Sequence, residues 1–215
     1  MNSDILEKLS NKSVTKKKLL EGVKQDFRLL PEILKGVSSS KAAIRYGCAK
    51  VLMDLSDENP EKLYPHMDFF INLLDSKYRI LTWNAMAIIA NLTEVDTEKK
   101  FDAIFDRYFS LLNNEYMVTV ANLVSNAGRI ATKKPHLTQR ITDALLKVET
   151  IPITQHLTEE CKNIITEKTI KSFDLFFDQI KNKDDITSFV KRQISNTRKS
   201  VRLESEKFLK KWDQK

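Results

Sequence analysis

An all-α fold is predicted by three features of this 215-residue chain, a right-handed α–α superhelix (solenoid) of five to six antiparallel helical pairs. The first is residues 80–93, ILTWNAMAIIANLT, where Leu81, Ala85, Ile88, Ile89 and Leu92 fall on one stripe of a helix. The second is recurrence of that stripe. It reads Ile44, Cys48, Val51, Leu52 and Leu55 when shifted back 37 positions, and Thr119, Leu123, Asn126, Ala127 and Ile130, a degraded copy, 38 positions on. At 76 positions on it reads Leu157, Cys161, Ile164 and Ile165 and fails at Lys168. A helix returning at such an interval, with a second helix in each gap, marks a helical-pair array. The third is composition: four glycines and five prolines are too few for the many tight turns of a sheet fold.

The elements follow in order. Residues 3–10 and 13–25 form a short polar pair, with Lys16, Lys17 and Lys18 ahead of Leu19, Leu20 and Val23. Asp26 caps a helix carrying Phe27, Leu30, Ile33, Leu34 and Val37, and Pro31 moves its start toward residue 30, since proline is harmless only in a first turn. Its partner covers about 41–56. Asn59-Pro60 opens the next pair as N-cap and first helical residue, with Pro65 a point of tolerance or kinking. After the 80–93 helix, Asp96 caps a helix with Phe101, Ile104, Phe105, Tyr108, Phe109 and Leu112, paired with one over about 115–132. Lys134-Pro135 opens the fifth pair, and residues 150–154 form a loop. From Thr158 a helix is expected as far as Lys181, because no glycine or proline interrupts it. A basic pair closes the chain and caps the array, its last helix over 196–215 with Val201, Phe208, Leu209 and Trp212 inward. No linker or low-complexity segment divides the chain, so residues 1–215 read as a single domain.

No 18-residue apolar run and no signal-peptide pattern occurs, which predicts a cytoplasmic protein without a membrane span. Cys48 and Cys161 both fall on the core template, so two buried, reduced thiols are expected, and their separation offers no metal spacing. Charge is uneven: residues 1–41 carry nine Lys/Arg and five Asp/Glu (+4), residues 181–215 carry eleven and five (+6), and residues 42–180 carry sixteen and nineteen (−3). Basic ends suit either solubilising caps or anionic partners.

The unit from Ala42 to Ile80, AAIRYGCAKVLMDLSDENPEKLYPHMDFFINLLDSKYRI, resembles a HEAT repeat, and the likeness extends over residues 26–172. Armadillo repeats are the related alternative. Their peptide-binding members carry a tryptophan four positions before an asparagine on the groove-lining helix; here Asn91 fits the asparagine, Ala87 stands at the tryptophan position, and Trp83 lies a turn earlier. The resemblance implies a superhelical binding scaffold without chemistry of its own, whose second helices line the concave side.

On that reading, residues beside the core stripe project into a groove in three rows: Gly47, Lys50, Asp54; Asn84, Ala87, Asn91; and Asn122, Ser125, Arg129. With Tyr46 and Trp83 they suit hydrogen bonding to an extended backbone or polar surface, while the competing role for the amides is bonding between adjacent helices. The expected partner is a protein or peptide, bound by a monomer through Tyr46, Lys50, Asp54, Trp83, Asn84, Asn91, Asn122 and Arg129. The alternative is nucleic acid, held by Lys16, Lys17, Lys18, Arg198, Lys199 and Arg202. Some basic HEAT-like proteins are DNA glycosylases for alkylated bases, and the resemblance to that class would cast Asp54 with Tyr46 and Trp83 in the carboxylate and aromatic roles. The net −3 of the central repeats argues against DNA in the groove. No catalytic residue, metal site or cofactor is expected. His66, His136 and His156 stand alone, and Gly22, Gly36, Gly47 and Gly128 form no phosphate loop.

Overall fold

The computed structural model describes residues 3–11 and 13–212, and the chain segregates into two compact units, residues 1–100 and 101–215. Helices and 3₁₀ turns are the regular elements among the described residues, joined by short loops, with no strand among them.

In the first unit, α1 (Ser3–Ser10) and α2 (Lys16–Gln25) form the opening pair. Thr15 caps α2, its Oγ1 accepting the Lys18 amide at 3.2 Å. Asp26 accepts the Arg28 amide and starts a 3₁₀ turn over Phe27–Leu29, and α3 (Leu30–Gly36) follows with Pro31 in its first turn, as expected. Its partner is α4 (Ala42–Glu58). Pro60 begins the short α5 (Pro60–Leu63), and the expected kink at Pro65 takes the form of a 3₁₀ turn, Tyr64–His66, ahead of α6 (Met67–Asn72). Proline lacks the amide that an uninterrupted helix requires there. The recurring stripe lies on α7 (Arg79–Leu92).

Helices α2, α4 and α7 form one layer, α2 against α4 and α4 against α7; α3 backs α4 and α6 backs α7. Both copies of the stripe in this unit are buried at every position, Ile44 through Leu55 and Leu81 through Leu92. The α4–α7 seam also carries a polar bond, the Asn91 amide donating to Ser56 Oγ at 3.0 Å. Gly47 is buried under α1 rather than open to a groove: a Cβ there would stand 2.7 Å from Leu9 Cδ2.

In the second unit, α8 (Lys100–Phe109) pairs with α9 (Met117–Lys133), α10 (Thr138–Leu146) with α11 (Glu159–Asp174), and α12 (Asp184–Arg192) with α13 (Lys199–Trp212). The layer here is α9 against α11 and α11 against α13. Gly128 sets the first of these contacts, since a Cβ there would meet the Ser172 carbonyl oxygen at 2.7 Å. Asn126, a polar member of the degraded copy, is nevertheless core, because it hydrogen-bonds the fully buried Tyr108 hydroxyl. Among the described residues the six pairs agree with the count from the sequence.

Two expectations are corrected. The long helix from Thr158 stops at Asp174; Phe176 leaves helical geometry at φ −136° and ψ 13°. The break aims successive phenyl rings at different partners, Phe173 at Phe189 (5.8 Å between centroids) and Phe177 at Phe208 (4.9 Å) and Trp212 (5.0 Å). Cys161 is only half-buried, whereas Cys48 is buried. The loop 151–158 lengthens the interval between second-helix N-caps from 37 (Lys41 to Tyr78) and 38 (Tyr78 to Tyr116) to 42 (Tyr116 to Thr158). The inward stripe of α11 therefore passes through Ile165, Thr169 and Ser172, one turn beyond the sequence register, and Lys168, now at the position equivalent to Ile88, is half-buried rather than core.

Candidate functional site

The α2–α4–α7 layer carries an open trough of about 560 Å³. From α2 it takes Lys16, Lys17 and Leu20; from α4, Tyr46, Lys50 and Asp54; from α7, Ile80 and Asn84. The helical register explains the set. Tyr46, Lys50 and Asp54 repeat at a spacing of four along α4 and share one face, while Ile80 and Asn84 share the equivalent face of α7.

Each side chain is held differently. The Tyr46 ring meets Tyr78 edge-on at 6.4 Å, and the buried Arg45 guanidinium lies over both rings, 4.6 Å from one centroid and 3.9 Å from the other. Arg45 Nη1 also donates to the Ser39 and Ser40 carbonyls, at 2.8 and 3.1 Å, so the wall behind Tyr46 is fixed through its neighbour. Lys50 and Asp54 form an i,i+4 ion pair along the trough. Asn84 is half-buried, and no hydrogen bond engages its amide among the described residues. Ile80 is 42% exposed, a large aliphatic side chain left in the opening.

The remaining predicted residues divide. Asn91 spends its amide on Ser56 across the helix seam, the structural role weighed against binding, and Trp83 is half-buried just past the trough. Asn122 and Arg129 belong to the second unit: Asn122 is half-buried and donates to its own helix at the Val118 carbonyl (2.8 Å), and Arg129 is exposed. The basic residues of the alternative reading also separate. Lys16 and Lys17 line the trough, and Lys18 and Lys199 are exposed. Arg198 pairs with Glu160, donates to Ser200 Oγ at 2.9 Å and lies 3.7 Å from Glu167. Arg202 donates to the Asn196 and Thr197 carbonyls at 2.7 and 2.9 Å, repeating the Arg45 arrangement at the mouth of α13. Sequence reasoning missed Leu20 and Ile80. Ile80 directly precedes Leu81 of the core stripe, so its position just off that stripe was the available signal.

Nothing in the trough assembles a nucleophile, base or metal set, and among the described residues no group of three or more His, Cys, Asp or Glu could hold a metal ion. No helix among them is long and apolar enough to cross a membrane.

No protein-family model and no curated protein matches the sequence. Solved structures do. A designed armadillo repeat protein, YIII(Dq)4CqI, superposes with a TM-score of 0.64 at 17% identity, over 95% of this chain and 90% of that one. The fold is armadillo-like. A second designed armadillo repeat protein, YIII(Dq.V1)4CPAF, solved in complex with the peptide (KR)4, gives a TM-score of 0.65 at 14% identity over 97% and 91%. An engineered protein gives 0.57 at 15% identity over 99% and 89%. These superpositions establish the HEAT/armadillo-type helical repeat architecture, and at such low identity leave function to the residues.

Proposed function

We propose that this protein is a non-enzymatic interaction scaffold, a cytoplasmic monomer that binds a protein or peptide partner on its second-helix face. The observation that carries this reading is the trough across α2, α4 and α7, where an unengaged amide, an exposed isoleucine and a braced tyrosine sit together on rigid helices. A free carboxamide can donate and accept at once, as an extended peptide backbone requires. Support also comes from the armadillo-like neighbour solved with a bound peptide. The two free cysteines suit a reducing compartment.

The nucleic-acid alternative has the exposed Lys16, Lys17 and Lys18 in its favour, but Arg198 and Arg202 are committed to carboxylates and backbone carbonyls within the second unit. A duplex phosphate track needs a continuous run of free cations. Affinity capture with the intact chain and with Tyr46→Ala/Asn84→Ala, beside gel shifts at two salt concentrations, tests the choice. We expect a captured protein that the double variant loses. Nucleic-acid binding that collapses with salt and ignores Tyr46 and Asn84 would overturn the scaffold reading.

A further inference from the structure

We infer that the trough takes an acidic segment of a partner protein, its carboxylates set against Lys16, Lys17 and Lys50 and an apolar side chain seated on Leu20 and Ile80. The inference rests on the scaffold reading and adds the chemistry of what is bound.

Charge complementarity is the first argument. Three lysines face the trough against one carboxylate, Asp54, which Lys50 already engages. No ion pair or hydrogen bond among the described residues occupies the Lys16 and Lys17 ammonium groups. The last lysine on α2, Lys24, differs. Two turns beyond Lys17 on the same helical face and outside the trough lining, it is paired with Glu21 at 3.3 Å and Glu58 at 2.7 Å. Lys24 is thus neutralised by the protein's own carboxylates, whereas Lys16 and Lys17 at the trough are left open, as is the exposed Lys18 beside them.

Local energetics give the second argument. Lys16, Lys17 and Lys18 fill the first turn of α2, which contains no acidic residue. Cations at a helix N-terminus oppose the positive end of its dipole, so this placement costs helix stability rather than adding to it. Departures from local preference of this kind concentrate where a sequence serves binding. An incoming carboxylate would relieve both the mutual repulsion and the conflict with the dipole.

The apolar element selects the class of partner. Leu20 is buried in the layer and Ile80 is 42% exposed at the opposite lip, leaving an aliphatic floor that a phosphate backbone would not use. An acidic peptide carrying one Leu, Phe or Trp matches both halves. The peptide in the complex of the neighbouring designed protein, (KR)4, is basic, opposite in charge to the segment inferred here.

The test uses fluorescence anisotropy on the full chain with a pool of labelled acidic 12-mers, Asp and Glu with one Leu, Phe or Trp each. Labelled (KR)4 and a single-stranded oligonucleotide are run beside it. We expect the acidic pool to bind, (KR)4 not to bind, and Lys16→Glu/Lys17→Glu to weaken the acidic interaction at least tenfold. The same variant should melt no lower than the wild type, because glutamates suit a first helical turn, so lost binding cannot be ascribed to unfolding. Equal binding of both peptides, no binding of the acidic pool, or unchanged affinity in the charge reversal overturns the inference. Should Tyr46→Ala/Asn84→Ala abolish partner capture while Lys16→Glu/Lys17→Glu leaves it intact, the face is right and the charge class wrong. Oligonucleotide binding abolished by the reversal, with no acidic-peptide binding, would overturn both readings in favour of nucleic acid.

Discussion

Burial inside α4 pushes the Cys48 thiol up to about 12, with the nearby Glu32 carboxylate adding to the shift. A thiol with that pKa is almost wholly protonated at pH 8, and the thiolate is the reactive species. Cys161 is different. It sits half-buried in the first turn of α11, its amide bonded to Thr158 Oγ1 at 3.3 Å. The two cysteines should therefore separate kinetically under a thiol reagent at pH 8. One equivalent reacts in the native protein and proves to be Cys161 by peptide mapping, and the second appears only in denaturant. Fast native modification of Cys48 would mean that the α3–α4 contact opens readily, since Gly36 of α3 packs directly against Cys48 Sγ. Polar groups inside the second unit follow the same logic of enclosure. Burial raises the pKa of Asp102, yet hydrogen bonds from His136 and Lys134 outweigh it and leave the carboxyl below its ordinary range. Such a group stabilises the fold above its unfolded pKa and loses that contribution as pH falls through the native value.

Two helical glycines show how little an element's sequence says about its crowding. Gly22 lies within α2 with nothing inside 4 Å of a Cβ placed on it, whereas Gly128 lies within α9 against the Ser172 backbone and Leu175. Alanine at Gly22 should stabilise the protein by about 0.5–1 kcal/mol, the ordinary gain for replacing a mid-helix glycine. Alanine at Gly128 should destabilise it by about 1–3 kcal/mol through overpacking of the α9–α11 seam. Denaturant melts of both variants check the opposite signs, and a stabilising Gly128→Ala would mean the seam has slack. The stripes, caps and prolines that set most helix boundaries were legible in the sequence, because each is a local, periodic signal. The register of α11 was not, since a loop insertion carries no periodicity and the 76-position match stopped at Lys168. The trough was half legible: Tyr46, Lys50, Asp54 and Asn84 repeat at helical spacing on α4 and α7. Lys16 and Lys17, assigned to a rival partner, join them only once α2 is seen packed beside α4.

At the scale of the whole molecule, stability in a repeat array is approximately a sum of each pair's own stability and its interfaces with neighbours, so the terminal pair is covered on one side only. In the second unit that pair is α12–α13, and α13 packs on both α11 and α12. It buries Val201, Ser205 and Phe208, closes Phe177 between Phe208 and Trp212, and ties Trp212 Nε1 and Lys211 Nζ to Asp174 at 2.7 and 2.8 Å. The turn before it matters as much. Asn163, buried on α11, donates to Thr197 Oγ1 at 3.2 Å and accepts from the Asn196 amide at 3.0 Å. Residues 213–215 of the helix expected over 196–215 lie outside the described residues. Deleting residues 197–215 would bare Phe177 and remove a partner of Asn163, and each buried group stranded in this way costs about 1–3 kcal/mol. The truncated chain should aggregate or dimerise in sedimentation velocity and melt well below the intact protein. The milder Phe208→Ala/Trp212→Ala variant should lower the melting temperature while staying soluble. The opposite result would be a truncated chain that remains monomeric and equally stable but loses a captured partner. That outcome would make α13 a recognition element, because a helix whose removal costs no stability cannot be what seals the face of α11 and α12.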